Sequence, residues 1–201
     1  MIKKLLKLIR AELKPYKIKL YIGKGKSVQY NSKLKVNGYF DNDGEKLAVA
    51  KNIKNWELVL VHEFAHFKQW AEDCAVWQDY IESQEHIGLD DLSDKNSDAT
   101  QDEINKSALA TMLMERDCEM RAYALLKELG YPKNKLMEYI QKSNAYTIFY
   151  LFLAKHRTWY TIGKEPYNLK SIWSKFPKTF SIDPQKTFNR LEYLYKGCVK
   201  K

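Results

Sequence analysis

The sequence predicts an α+β fold, with a small and mostly antiparallel N-terminal sheet packed on a central helix, followed by a mainly helical C-terminal half. Three observations carry that expectation. Residues 17–52 contain short stretches alternating apolar and polar side chains with a period of two, separated by turn residues. Trp56 to Trp70 is a single apolar segment, with no Gly or Pro before Gly88. Beyond it, helical patterns run between breakers at Gly130, Pro132, Gly163 and Pro184. A chain of 201 residues holds one sizeable core, so one domain over residues 1–201 is expected.

The elements follow in order. Leu5, Leu6, Ile9 and Leu13 share one face of an opening helix within residues 1–14, opposite lysines, and Pro15 ends it. Packing on its own domain is the expected role of this basic amphipathic segment, rather than lying on a membrane. In the sheet region, 17–52, strands are expected at Lys17–Ile22, Ser27–Lys35, Gly38–Phe40 and Lys46–Lys51, with Asp41–Gly44 as a turn. Residues 55–130 should supply two long helices. Asn55 is placed as N-cap of the first, and Glu57 falls in its first turn. An exposed acidic loop, 79–103, separates it from the second, Ile104–Leu129, which Gly130 and Pro132 close. That loop resembles a calcium site only in composition. Residues 131–201 read as helical, basic and aromatic-rich, with a final helix from about Gln185 to Tyr195.

Charge is unevenly distributed. Residues 1–71 carry 15 Lys+Arg against 6 Asp+Glu, residues 72–119 carry 3 against 14, and residues 120–201 carry 16 against 5. The net +9 thus conceals a basic, acidic, basic succession. Basic surface attracts nucleic acid or acidic substrates, but no recognised nucleic-acid motif accompanies it. The three cysteines, Cys74, Cys118 and Cys198, form no C-x-x-C pair, as expected of free thiols in a reducing cytoplasm. No signal-peptide core is present, and the longest nearly apolar run, Ala145–Ala154, is too short to span a bilayer. A cytoplasmic location is expected.

The chemistry centres on Val61-His-Glu-Phe-Ala-His-Phe67. Residues four apart on a helix lie one above the other, so His62 and His66 can grip one metal, usually zinc. Glu63 stands about 100° round the helix and reaches the open metal position without being a ligand. H-E-x-x-H with Glu as general base is the signature of a metallohydrolase. A catalytic zinc needs a third protein ligand, and no third His follows His66 at short spacing. A carboxylate from a second helix is the other solution. Glu115 and Glu119, in Glu115-Arg-Asp-Cys-Glu-Met-Arg-Ala122, share a face; one can bind the metal while the other orients a histidine.

These two helices together resemble the minimal gluzincin arrangement of zincin-like metallopeptidases. In HtpX-like and ImmA-like peptidases the second helix reads E-x-x-A-D or E-x-x-A-N. Laid onto this chain, the resemblance implies Glu115 as ligand, Cys118 as the small residue, Glu119 as orienting acid and Ala122 as trailing alanine. Glu119 departs from the usual Asp or Asn, leaving open an exchange of roles with Glu115. H-E-F-x-H-x-x-Q-W followed by D-C-E also resembles small metallopeptidases inferred for tailed bacteriophages, which implies the host cytoplasm. The likeness covers about residues 38–130. It implies a zinc-dependent peptidase acting on a peptide or protein, with zinc on His62, His66 and Glu115, and Glu63 as base. Residues 38–51 are expected to supply the edge strand that holds substrate.

In the last third, Tyr146, Phe149, Tyr150 and Leu153 recur at helical spacing, as core residues do. Tyr146, Tyr150, His156, Arg157 and Tyr160 are candidate oxyanion donors, His156 and Tyr160 lying four apart. The alternative to catalysis is a zincin-like module with a structural zinc that binds a protein partner or nucleic acid.

Overall fold

The structure, a computed structural model, describes residues 1–199. They fall into two units, Met1–Asp73 with Arg121–Pro132, and Cys74–Met120 with the chain from Lys133 onward.

In the first unit, α1 (Ile2–Leu13) covers Leu5, Ile9 and Leu13 almost completely while its lysines remain outside. Each such side chain contributes about 1.5–3 kcal/mol of burial. Pro15 sits in a 3-10 turn, and Lys17, at φ 59°, turns the chain into β1 (Lys19–Gly23). β2 (Val28–Gln29) and β3 (Lys35–Val36) pair antiparallel. The strand expected over Ser27–Lys35 is therefore a hairpin. Asn31 bends it, its Oδ1 accepting from the Lys33 and Leu34 amides at 3.0 and 2.9 Å.

β4 (Gly38–Asp41) and β5 (Lys46–Ala50) join β1 in a three-stranded sheet of order β1-β5-β4. β4 runs antiparallel to β5 through the Asp41–Gly44 turn, where Asp41 Oδ1 takes the Gly44 amide at 2.9 Å. β1, however, is parallel to β5, so the sheet is mixed and not mostly antiparallel. The segment between β1 and β5 is long enough to return the chain to the same end, which a parallel neighbour requires. Alternation divides the faces. Phe40 meets Phe67 and Trp70 of the next helix at 5.8 and 5.7 Å, while Tyr39, Ala48 and Ala50 pack with Val28 in a separate small core.

That helix, α2 (Trp56–Ala71), buries Leu60, Val61, Phe64, Ala65 and Phe67. Asn55 precedes it in a left-handed conformation, φ 58°, and its side chain makes no cap; only its carbonyl serves, accepting the Leu58 amide at 2.9 Å. The helix stops well before Gly88 because Asp73 turns left-handed at φ 50°, a region that Asp tolerates better than most residues.

In the second unit, α3 (Ala75–His86) takes up the first part of the segment expected to be an acidic loop over 79–103. The loop proper is short and anchored. Leu92 is fully buried in it, and Arg157 donates to the carbonyls of Asp91, at 2.9 Å, and Asp94. α4 (Gln101–Glu128) begins three residues ahead of Ile104 because Thr100 and Glu103 form a capping box: the Thr100 amide reaches Glu103 Oε2 at 2.8 Å and the Glu103 amide reaches Thr100 Oγ1 at 3.3 Å. The helix is unbroken, with residues up to 120 in the second unit and residues from 121 in the first. Gly130, at φ 77°, closes it, as its position predicts.

α5 (Lys133–Thr147), α6 (Phe149–His156), the single turn α7 (Lys170–Trp173) and α8 (Pro184–Tyr195) complete this unit. Their core gathers Ile104, Met112, Phe149, Phe152, Leu153 and Tyr195. Gln141 and Asn144 of α5 satisfy carbonyls of the 174–179 connection. Asp183 caps α8 through the Lys186 amide at 2.8 Å. Among the described residues no helix is long and apolar enough to cross a membrane.

Candidate metal centre

On α2 the two histidines meet as their spacing requires. The Nε2 atoms of His62 and His66 lie 3.1 Å apart, with rings nearly perpendicular at 89°. His66 Nδ1 is 2.9 Å from Oε1 of Gln69, one turn on and wholly buried. An amide oxygen can only accept, so Nδ1 carries the proton and Nε2 presents its lone pair. At 3.1 Å the His62 Nε2–H can donate to that lone pair, and a metal ion can take the place of the proton. Two imidazoles on one tetrahedral zinc, at about 2.0–2.1 Å each, would stand about 3.3 Å apart. The geometry on α2 is therefore close to that of a loaded pair.

Helix α4 supplies the other donors. The ligating atoms of His62, His66, Glu115 and Cys118 all lie within 4.8 Å of one another. The histidines are half-buried and the other two buried. Nitrogen, carboxylate oxygen and thiolate sulfur are the donor types zinc takes. The site residues thus fit a metal in both chemistry and spacing. Glu119, four residues from Glu115, accepts a hydrogen bond from Ser143 Oγ at 2.8 Å.

Glu115 sits among phenols. Burial first, and the Glu115 carboxylate second, hold Tyr146 and Tyr150 well above the ordinary phenol range. Their hydroxyls are 3.2 Å apart. Tyr160 is raised too, chiefly by burial, and is hydrogen-bonded to Tyr167. All three remain neutral donors at physiological pH. His156 is directed elsewhere, its Nε2 lying 2.6 Å from Glu192 Oε1 on α8. Arg157 is occupied in anchoring the 87–100 loop.

Glu63 is buried on α2 next to His62. A β-carbon added to Gly38 of edge strand β4 would lie 2.7 Å from Val59 Cγ1 and 3.1 Å from Glu63 Cγ. The strand backbone therefore passes directly over Glu63, which only glycine permits.

Sequence reasoning misses two contributors. Gln69 signals itself only as a polar residue on an otherwise apolar helix, three residues after a histidine. Cys118 stands out in the sequence only for its size, yet it lies three residues after Glu115, on the same helical face, and is itself a donor type. No protein-family model matches the chain, and neither a curated protein nor a solved structure matches it either. The narrower likeness to phage and HtpX-type peptidases thus gains no support. What stands is a mixed N-terminal sheet packed on helices, a mainly helical C-terminal half, and a donor group of two histidines, a glutamate and a cysteine suited to a metal, which is consistent in general terms with a zincin-like arrangement.

Proposed function

We propose that the chain is a zincin-like module that takes one zinc ion on His62, His66 and Glu115, with the Cys118 thiolate closing the fourth position. The observation that carries this reading is the four-donor group itself. Four protein donors complete a tetrahedral sphere, as structural sites do, whereas catalytic sites keep one position open. Glu119 holds its place through Ser143 and stands outside the donor set in this reading. With zinc so held, the module would serve by binding a partner.

A second reading, zinc-dependent peptide hydrolysis, is favoured by one specific observation: Glu63 is buried beside His62 under the edge strand, and a structural site needs no general base. It requires Cys118 to leave the fourth position open. Bound zinc would supply Lewis acidity there. Glu63 would accept a proton from the attacking water and deliver it to the leaving amine. Tyr160, kept neutral, would donate to the carbonyl oxygen as charge develops, and β4 would pair with an extended peptide.

Metal analysis and cobalt substitution separate the two. About one metal per chain is expected, lost in His62→Ala and Glu115→Ala and retained in Glu119→Ala. A thiolate-to-cobalt absorption band that disappears in Cys118→Ala, without peptide turnover, supports the closed site. No such band, with turnover abolished by Glu63→Gln at full zinc content, establishes the peptidase. Failure of the folded chain to take up zinc when it is offered would sink both.

A further inference from the structure

We propose that the sheet face of the first unit turned away from α2 binds single-stranded nucleic acid, with Tyr21 and Tyr30 as base-stacking platforms and Lys19 and Lys46 as phosphate contacts. The pairing register places the residues. Tyr21 and Tyr39 both pair with Ala48, so they form one row across β1-β5-β4, and Lys19 pairs with Lys46 in the adjoining row. Side chains two apart on a strand share a face, so both rows project from the same side. That side is opposite Phe40, whose ring meets α2.

The strip is continuous. Lys46 Nζ lies 5.0 Å from the Tyr21 ring centre and 5.6 Å from that of Tyr39. The Tyr30 ring meets Tyr39 edge-on at 5.0 Å. Ala48, small and central, leaves the space that these longer side chains occupy. Tyr39 is buried as the floor, whereas Tyr21 and Tyr30 remain 50% and 48% exposed. The half-exposed rings of Tyr21 and Tyr30 offer π-surface to bases, and the Lys46 ammonium beside Tyr21 and Tyr39 offers positive charge to the backbone linking them.

Charge complementarity selects the partner. Residues 1–54 carry 14 Lys+Arg against 4 Asp+Glu, and the hairpin beside the strip contributes exposed Lys24, Lys26, Lys33 and Lys35. Asp41, the acid on the Lys46 row, is engaged by the Gly44 amide. A membrane surface is the other polyanion, but binding it needs an apolar face to insert. The basic amphipathic helix of this unit, α1, has Leu5, Ile9 and Leu13 already buried. A duplex hides its base faces in the stack, so rings of this reach can engage only unpaired bases. None of the strip residues belongs to the metal donor group, so this inference does not depend on the proposed zinc chemistry.

The test is fluorescence anisotropy of the full chain with labelled oligo(dT), oligo(U) and a duplex, each of about 15 residues, at about 50 and 200 mM salt. Single strands should bind more tightly than the duplex and weaken steeply with salt. Tyr21→Ala and Tyr30→Ala should each weaken binding about 5- to 150-fold, the range of one lost base stack. Tyr21→Phe and Tyr30→Phe keep the rings and should bind within about twofold of wild type. Lys46→Gln should reduce the salt slope by about 0.7. Circular dichroism checks the fold of every variant; where an alanine variant does not fold, the phenylalanine and Lys46→Gln results decide. Removing metal with a chelator should leave binding unchanged. The inference is overturned by no binding at low salt, by equal affinity for the duplex, by folded alanine variants that bind like wild type, by an unchanged salt slope in Lys46→Gln, or by polyglutamate competing as well as oligo(dT).

Discussion

Gln69 shows how much one side chain can decide. It has no surface exposure, and its amide oxygen lies 2.9 Å from His66 Nδ1, which favours the tautomer that leaves the Nε2 lone pair toward His62. Outer partners of this kind contribute about 10- to 100-fold in metal affinity. Gln69→Leu should therefore weaken zinc binding by that factor with the fold retained, as read by competition with a chromophoric chelator. Unchanged affinity would remove the orienting role. Gly38 is the second such residue. A methyl there would collide with Val59 and crowd both Glu63 and the Ala48 carbonyl. Gly38→Ala should cost about 1–3 kcal/mol, the usual range for overpacking, as a lower denaturant midpoint at unchanged slope. An unaltered midpoint would mean that β4 can move off α2 at no cost.

Among the elements, α4 matters most because it brings Glu115 and Cys118 to the donor group. Its start is set by the Thr100–Glu103 box, three turns or more before the donors. Thr100→Ala should lose about 1 kcal/mol of stability, seen as a reduced melting temperature, while zinc affinity stays constant. A large loss of zinc affinity would show that fraying of the first turn reaches Glu115, contrary to this account. The T-x-x-E pattern is present in the sequence, yet apolar periodicity places the helix start at Ile104. Periodicity reports burial, and a helix's first turn is often exposed, so it underestimates helices that begin outside their core. The same bias makes α3 read as part of an acidic loop: its polar residues leave only Ser83 buried, and a helix with so little core contact has no apolar stripe to detect.

At the scale of the whole molecule, two behaviours are expected. If zinc binds only the folded chain, free zinc at about 1,000 times its dissociation constant should add about 4 kcal/mol of stability, and a chelator should remove it. The alkaline limit comes from the buried phenols. Burial raises Tyr195 well above the ordinary phenol value; its hydroxyl donates to the Ala145 carbonyl at 3.0 Å. Tyr139 is raised by burial and by the nearby Glu119. A group raised on folding favours the folded state fully below its unfolded value, near about 10, and loses that contribution as pH rises toward the folded value. Phenolate absorbance from these tyrosines should therefore appear only together with loss of helical signal, above about pH 10. Their ionisation in a still-folded chain would refute the assignment.

By itself the sequence determined what local spacing and turn chemistry control. His62 and His66 are four apart on an apolar helix and must face the same way; Asp41–Gly44 must turn; Gly130 must end α4; and Leu5, Ile9 and Leu13 must line one side of α1. Tertiary structure decided what depends on residues distant in the chain. It made β1 parallel to β5, because parallel pairing is set by where a long connection returns and no local pattern records that. It turned His156 to Glu192, because hydrogen-bond partners are chosen by packing. It gathered Glu115 and Cys118 with the two histidines, while Glu119 accepts from Ser143. On one helical face two acids four apart are nearly equivalent in sequence. Packing distinguishes them: Ser143, from another helix, donates to Glu119, while Glu115 belongs to the donor group with Cys118 and the two histidines.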